Sequence, residues 1–467
     1  MPRRLVTTAA AVLCLLAPTA AAEAPPESPA DVSNVADGAL TLLLAGDSII
    51  TQPWSGDREP AFLDLVARVR AADVALVNLE LVLHDFDNPA QADSGGGHMA
   101  ARPAMAGELA WAGVDMVAHA NNHSFDYGSG GVLATGDAAA RAGLVLAGSG
   151  PDLQRARAPA YLTRPDGTVA LVATASTFTP YGKASRSRAD VPGRPGLNPL
   201  TAVPLRHLAV PGFLESAFWG TADLLGLPHR RWDDGWGKLY SLSVHTGTGL
   251  GLRRGFRVDR DDVEANLAAV RAAAARADVV VFSIHAHDQG PWLEELAHRA
   301  VDAGADVFLA HGPHRMLGVE LHRGRPIFYG LGDFVFQPHR VERFPTEHYE
   351  RNRLGEGATV EDVRRKFVTG SKLYGEREPW ESVAAVLRYE AGALREVRLL
   401  PMDLGFREPL PVRDKAQLAD DRTLGKPRRA DRTLGRRIVD TIGDRSRPYG
   451  TAIRYLDGEN AGLVVLP

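Results

Sequence analysis

The chain has 467 residues, 45% hydrophobic and 24% charged, with a formal net charge of −4. This is the composition of an ordinary soluble globular protein, and its negative balance argues against a nucleic-acid partner, which needs a basic face. The single cysteine, Cys14, lies in the apolar N-terminal stretch. A chain cleaved beyond it has no disulfide and no thiolate metal ligand.

Arg3 and Arg4 precede an apolar stretch from Leu5 to Leu16, and Ala20-Ala21-Ala22 offers a small-residue cleavage site. These regions read as a secretory signal peptide over 1–22, too short to span a membrane. Its removal takes the net charge from −4 to −6 and leaves an extracytoplasmic protein, periplasmic or secreted. Residues 23–39, rich in Pro, Ala and Glu, read as a flexible leader.

From Leu40 a β–α alternation sets in. Phe62, Leu65, Val66 and Val69 are spaced as one face of a helix, which feeds a strand at Val74–Val77. Helices at Met105–Trp111 and Gly131–Arg141 feed strands at Val114–Val117 and Leu144–Ala147, and Val169–Ala173 is a further strand. Asp261–Arg276 and Trp292–Ala303 are helices before strands at Val279–Phe282 and Val307–Leu309. Strands alternating with helices imply crossovers and a largely parallel sheet. Residues 183–258 break the rhythm, and read as a long loop with a helix at Gly212–Leu225, serving either as a lid or binding surface or as a plain surface insertion. Ser382–Tyr389 and Leu394–Leu400 read as a β-hairpin. Residues 411–467 read as basic and irregular, with one helix near Arg436–Ile442 and Asp-Arg-Thr-Leu-Gly written twice, at 421–425 and 431–435.

Short polar clusters follow five of the apolar runs: Gly46-Asp47, Asn78-Leu79-Glu80, Asn121-Asn122-His123, His285-Ala286-His287 and His311-Gly312-Pro313-His314. Each has a plain reading alone. Asp47 suits a helix N-cap, the asparagines suit turns, and a lone histidine suits a core or a surface. Their recurrence after strands, with no Lys or Arg among them, points elsewhere. Carboxyl ends of parallel strands are where α/β folds bind ligands, and Asp, Glu, Asn and His are the oxygen and imidazole donors of a hard or borderline divalent metal.

These motifs, with the segment from Gly324 to Phe336, resemble in order those of the CapA-type poly-γ-glutamate capsule biosynthesis proteins, a branch of the calcineurin-like metallophosphoesterase superfamily. The resemblance covers about residues 40–337. It implies an α/β fold, a four-layer α/β/β/α sandwich with the insertion at 183–258 and a C-terminal extension, 338–467, carrying the hairpin and packing on the core. It implies one or two divalent ions (Mn, Zn or Fe) held by Asp47, Glu80, Asn122, His123, His285, His311 and His314, with Asn122, His123 and His287 in the chemistry. The implied partners are an anionic cell-surface polymer or its precursor and membrane-bound capsule synthesis machinery. Arg194, in a segment from Gly193 to Leu200 that looks like a subgroup feature, reads either as a clamp on a substrate carboxylate or phosphate or as a solvated loop arginine. The chain departs from the superfamily in three places. The usual Asp-x-His is Asp47-Ser48-Ile49, His311 and His314 stand three apart instead of two, and Glu80 occupies the place of the bridging aspartate. His287 is available as a replacement nitrogen donor. Asp333, where the family usually shows Asn, reads first as part of a buried strand and turn, with a role in the site as the alternative. The expected function is a secreted metal-dependent hydrolase acting on a phosphoester or γ-glutamyl amide; the alternative is a non-catalytic polymer-binding or export subunit.

Overall fold

The computed structural model of the protein describes residues 38–232, 236–247, 249–406 and 415–467. The expected signal peptide and most of the leader lie outside them.

Two sheets carry the fold. In the first, Ala39–Ile49, Val74–Leu79, Met116–Ala118 and Val145–Ala147 lie side by side in parallel. Helices Pro60–Ala71, Ala104–Ala112 and Gly128–Arg141 make the crossovers. The first begins with Pro60, whose missing N–H costs nothing there. The second ends at Gly113, left-handed with φ 98°, which returns its N–H to Ala110 O and Leu109 O. The second sheet runs Val319–His322, Arg325–Phe328, Val307–His311, Val279–His285, Gly167–Ala175, Ala160–Arg164. Its outer helices are Arg260–Ala274, capped by the Asp259 carboxylate, and Pro291–Asp302.

Strand alternation divides the apolar residues among three cores. Leu40, Leu42 and Leu44 meet Val279, Val281, Val307 and Leu309 between the sheets. Leu43, Ala75 and Val77 pack on Phe62, Leu65 and Leu109. Val172, Val280, Phe282 and Phe308 pack on Val263, Leu267, Leu293 and Leu296. The result is the expected four-layer α/β/β/α sandwich.

Two segments differ from expectation. Residues 183–258 are not mainly loop. They contain a five-stranded sheet of His229–Arg231, Trp236–Leu239, Leu242–Gly247, Ala202–Pro211 and Gly251–Val258, and Glu215–Leu224 is the expected helix. Trp219 is buried against Val210 and Val244, and Phe256 meets Trp292 of the main body at 5.9 Å between ring centroids. Arg, Lys, His, Gly or Pro interrupts every one of these strands, so no long apolar run announces them. The hairpin forms as Glu381–Glu390 and Ala393–Asp403, turning at Ala391 and Gly392, both with positive φ. It is not an appendage, however. Glu381–Glu390 pairs antiparallel with the first strand, Leu42 opposite Leu387. Ala461–Val464 and Ile453–Leu456 then extend the same sheet. The late helix is longer than expected, Arg432–Ser446, because the Asp431 carboxylate caps it by accepting from Leu434 N–H. Among the described residues no helix is long and apolar enough to cross a membrane.

His339 lies fully buried beneath the C-terminal segment, Nδ1 3.1 Å from the Tyr374 hydroxyl and Nε2 3.3 Å from the Asp421 carbonyl oxygen. Burial holds its pKa down to about 3. Above about pH 6.5 the ring is neutral folded and unfolded. As the pH falls from there toward 3, the unfolded chain takes a proton that the native site refuses, and stability is lost at about 1.4 kcal/mol per pH unit. His339→Gln is expected to make the fall in stability between pH 6 and pH 4 shallower by about one proton, as read from urea denaturation at a series of pH values.

Candidate metal centre

The first strand does not run straight into the site. Leu44 pairs with Leu76, and the next pair is Asp47 with Asn78. One extra residue on the first strand re-aims its end, so Asp47 shares the inter-sheet side with Leu44. Gly46 makes the detour feasible, because a Cβ there would stand 1.6 Å from the Gly332 carbonyl oxygen. On its other side Asp47 pairs with Asp333, the first residue of strand Asp333–Phe336. From the second sheet, His285 and His311 are register partners at the ends of their strands. The loop after His311 turns through Gly312, φ 115°, and His314, φ 51°. The latter is a strained conformation for a non-glycine residue, and it swings the His314 ring back over the strand ends.

Asp47 is the hub. Its Oδ1 accepts from Asn78 Nδ2 at 2.7 Å and lies 3.7 Å from His285 Nδ1 and 3.5 Å from His311 Nδ1. Its Oδ2 accepts from Gly312 N–H at 3.0 Å and lies 3.7 Å from His314 Nδ1. Glu80 Oε1 stands 3.5 Å from His285 Nε2 and 3.8 Å from His314 Nε2. His314 Nδ1 is 2.9 Å from Asp333 Oδ1. The ligand atoms fall into two adjoining groups, each within 4.8 Å: Glu80, His285 and His287, and Asp47, His314 and Asp333.

Three carboxylates in so small a buried space are electrostatically costly. Burial, then the charge of Asp47, pushes the Glu80 carboxyl far above its usual range. Burial resists ionisation of Asp47 too, but His285, His311 and His314 outweigh it and hold that carboxyl well below the ordinary value. Burial lowers His311 to about 4, and burial with the neighbouring rings lowers His287 to about 2. Burial opposes a charge on His314 as well, but Asp333 and Glu80 raise it. Both oxygens of Glu80, both ring nitrogens of His311, Nε2 of His285 and of His287, and Oδ2 of Asp333 are buried without a hydrogen bond. Buried polar atoms rarely go unpaired. A convergent set of unpaired carboxylate oxygens and imidazole nitrogens fits one or two divalent cations.

Of the residues expected from sequence, Asp47, Glu80, His285, His311 and His314 come together here, and His287 joins them. Its ring is 5.0 Å from that of His285 and 5.6 Å from that of His314. His123 stands near enough to His285 and His287 to act on their charge, with no hydrogen bond to either, and Asn122 is its neighbour in the chain. His123 Nδ1 is held by Asp126 Oδ2 at 2.7 Å. Asn122 donates to the Gly95 carbonyl oxygen at 3.1 Å and keeps Oδ1 buried and unpaired. The exposed Arg194 donates to the Lys183 carbonyl oxygen at 2.8 Å, and no hydrogen bond or ion pair links it to the cluster. Three contributors stand outside the residues expected to hold the metal or take part in the chemistry. Asn78 orients Asp47, Asp126 orients His123, and Asp333 is both strand residue and site carboxylate. The polar interruption Asn78 within Val74–Leu79 was the available signal for the first.

The family described as "Bacterial capsule synthesis protein PGA_cap" matches residues 41–338. The chain is 32% identical over 454 residues to the uncharacterized protein y4sH of Sinorhizobium fredii, covering 93% of this chain and 94% of that protein. It is 36% identical over 80 residues to the PGA biosynthesis protein CapA of Bacillus subtilis, 16% of this chain and 21% of that protein. Among solved structures, that of a hypothetical protein from Thermus thermophilus covers 78% of this chain and 98% of its own at 16% identity and a TM-score of 0.39.

Gly46→Ala is expected to drive the first strand from Gly332, costing about 1–3 kcal/mol as overpacking does, and to lose bound metal. Gly107→Ala is the control, since nothing lies within 4 Å of its Cβ and alanine favours a helix by about 0.5–1 kcal/mol. Denaturation and elemental analysis read both. Glu80→Gln relieves carboxylate crowding, so in chelator it is expected to melt at or above wild type. Wild type is expected to gain about 2.7 kcal/mol at a hundredfold excess of Mn²⁺ over its dissociation constant, and Glu80→Gln to lose most of that gain. Thermal melts with and without chelator decide it.

Proposed function

The chain belongs to the bacterial capsule synthesis protein family, and from that membership we propose that it is an exported metal-dependent hydrolase of the phosphoesterase type, acting on a cell-surface polymer such as poly-γ-glutamate or on its precursor. The observation that carries the reading is the convergence of unpaired, buried carboxylate oxygens and imidazole nitrogens from both sheets at their strand ends. Asp47, Glu80, Asp333, His285, His287, His311 and His314 would hold the cation. When bound, it supplies Lewis-acid charge at the reacting phosphoryl or acyl centre.

The protein's own groups supply the rest. Asp126 fixes the ring of His123 through Nδ1, which leaves Nε2 to give a proton to the leaving oxygen or nitrogen. Asn122 carries an unpaired Oδ1 that can accept from a substrate N–H or O–H. Asn121 holds this loop in place, donating to the Leu79 carbonyl oxygen at 2.8 Å and accepting from His123 N–H at 3.1 Å. Residues from both sheets thus face one reacting centre.

One observation favours the second reading, a binding or export subunit that keeps the fold without turnover. Ile49, 2% exposed among the apolar residues of the first core, stands in the Asp-x-His position. The experiment is turnover of generic phosphodiesters and of γ-glutamyl peptides by metal-loaded protein. His123→Asn is expected to lower kcat by about 10²–10⁴-fold, the usual contribution of a general acid, while retaining bound metal. Metal-loaded wild type that binds anionic polymer and turns over neither substrate class would establish the subunit reading instead.

A further inference from the structure

A second group of metal-ligating side chains lies outside the strand-end cluster. Helix Pro291–Asp302 carries His298 and Asp302 one turn apart, and the edge strand Val319–His322 carries Glu320 and His322 on one face. One ligand atom from each of His298, Glu320 and His322 lies within 4.8 Å of the others. His298 Nε2 is 2.7 Å from Glu320 Oε1, and the two imidazole rings lie nearly parallel at 4.2 Å.

We infer that His298, Glu320 and His322 form a second divalent-metal site, selective for a borderline transition ion such as Zn²⁺. Two imidazoles and one carboxylate are a recurrent zinc donor set with a fourth position open to water. Partial exposure of the side chains, 39% for His298, 15% for Glu320 and 23% for His322, leaves room for that water. Supporting contacts of the kind that orient metal ligands are present. The Tyr329 hydroxyl donates to Glu320 Oε2 at 2.6 Å, and Asp302 Oδ1 stands 3.2 Å from His322 Nε2 while also pairing with Arg323 Nε at 3.1 Å.

The topology separates this site from the first. Val307–His311 ends at the strand-end cluster, Arg325–Phe328 runs parallel to it, and Val319–His322 runs back. His322 is therefore at the opposite end of the sheet. The helix also returns to that end, which puts Asp302 there. A bound ion would tie the last turn of the helix to an edge strand.

The test is equilibrium dialysis of the full chain against Zn²⁺ with elemental analysis, for wild type, His298→Asn/His322→Asn and Glu80→Gln. Wild type is expected to hold one zinc more than the double variant, and Glu80→Gln to keep the zinc that the double variant loses. Wild-type crystals are expected to show an anomalous peak between His298 and His322 at the zinc edge, a readout that does not depend on how the variants fold. Equal zinc in wild type and a folded double variant, or no peak at that position, would overturn the inference. The proposed hydrolase function stands or falls separately, on Glu80 and His123.

Discussion

One buried carboxylate joins the two sheets at their functional ends. Asp47 is 2% exposed, takes a hydrogen bond from Asn78 in its own sheet and another from Gly312 beyond the second sheet, and faces His285 and His311 of the latter and His314 of the loop beyond it. The apolar core between the sheets gives them a common face, and Asp47 fixes their relation where that core ends. A buried charge of this kind is costly unless it is paired and hydrogen-bonded. Here the pairing is shared by residues on three separate chain segments, so none of them moves without exposing the charge to an unbalanced surrounding. The extra residue before Asp47 and the glycine-to-glycine approach of residues 46 and 332 are what bring the carboxylate to that point.

The layers were legible because both sheets are covered on both faces. Their strands therefore read as unbroken apolar runs, and their helices as one-sided stripes with buried Phe62, Leu65, Val66 and Val69. The site was legible for the same reason, since a polar cluster stands out after such a run. Asp333 was legible only as an alternative to a plain buried strand, because its strand pairs with the first strand across a large stretch of sequence, and nothing local distinguishes a buried strand from one that also donates a carboxylate. The hairpin shows the same limit. Its turn is written in Ala391 and Gly392, but its docking on Leu42 and Leu44 is a matter of register. The twice-written Asp-Arg-Thr-Leu-Gly makes the point within the chain. At 421–425 the aspartate accepts from Thr423 N–H and the glycine enters the left-handed region. At 431–435 the same five residues open a helix.

The donor set is richer in oxygen than a purely imidazole site would be. Asp47, Glu80 and Asp333 bring three carboxylates to four histidines. With Ile49 in the Asp-x-His position, nitrogen comes from His285 and His287, two residues apart across a strand end, and from the bent loop that carries His311 and His314. In donor type such a mixture would suit Mn²⁺ and Fe²⁺ as well as Zn²⁺, and availability in the surroundings would then matter as well as intrinsic affinity.

The position of the C-terminal hairpin has a temporal meaning. The strand that carries Asp47 is hydrogen-bonded on one side to residues 381–390, which are made only after all the intervening chain. Chains emerge N-terminus first, and pairings between distant segments form slowly. Asp47 and Glu80 of the first sheet thus lack that flanking strand until the hairpin has emerged. A cation held between them would then be taken from the ions present once the sheet is complete, and not from those met by the nascent chain.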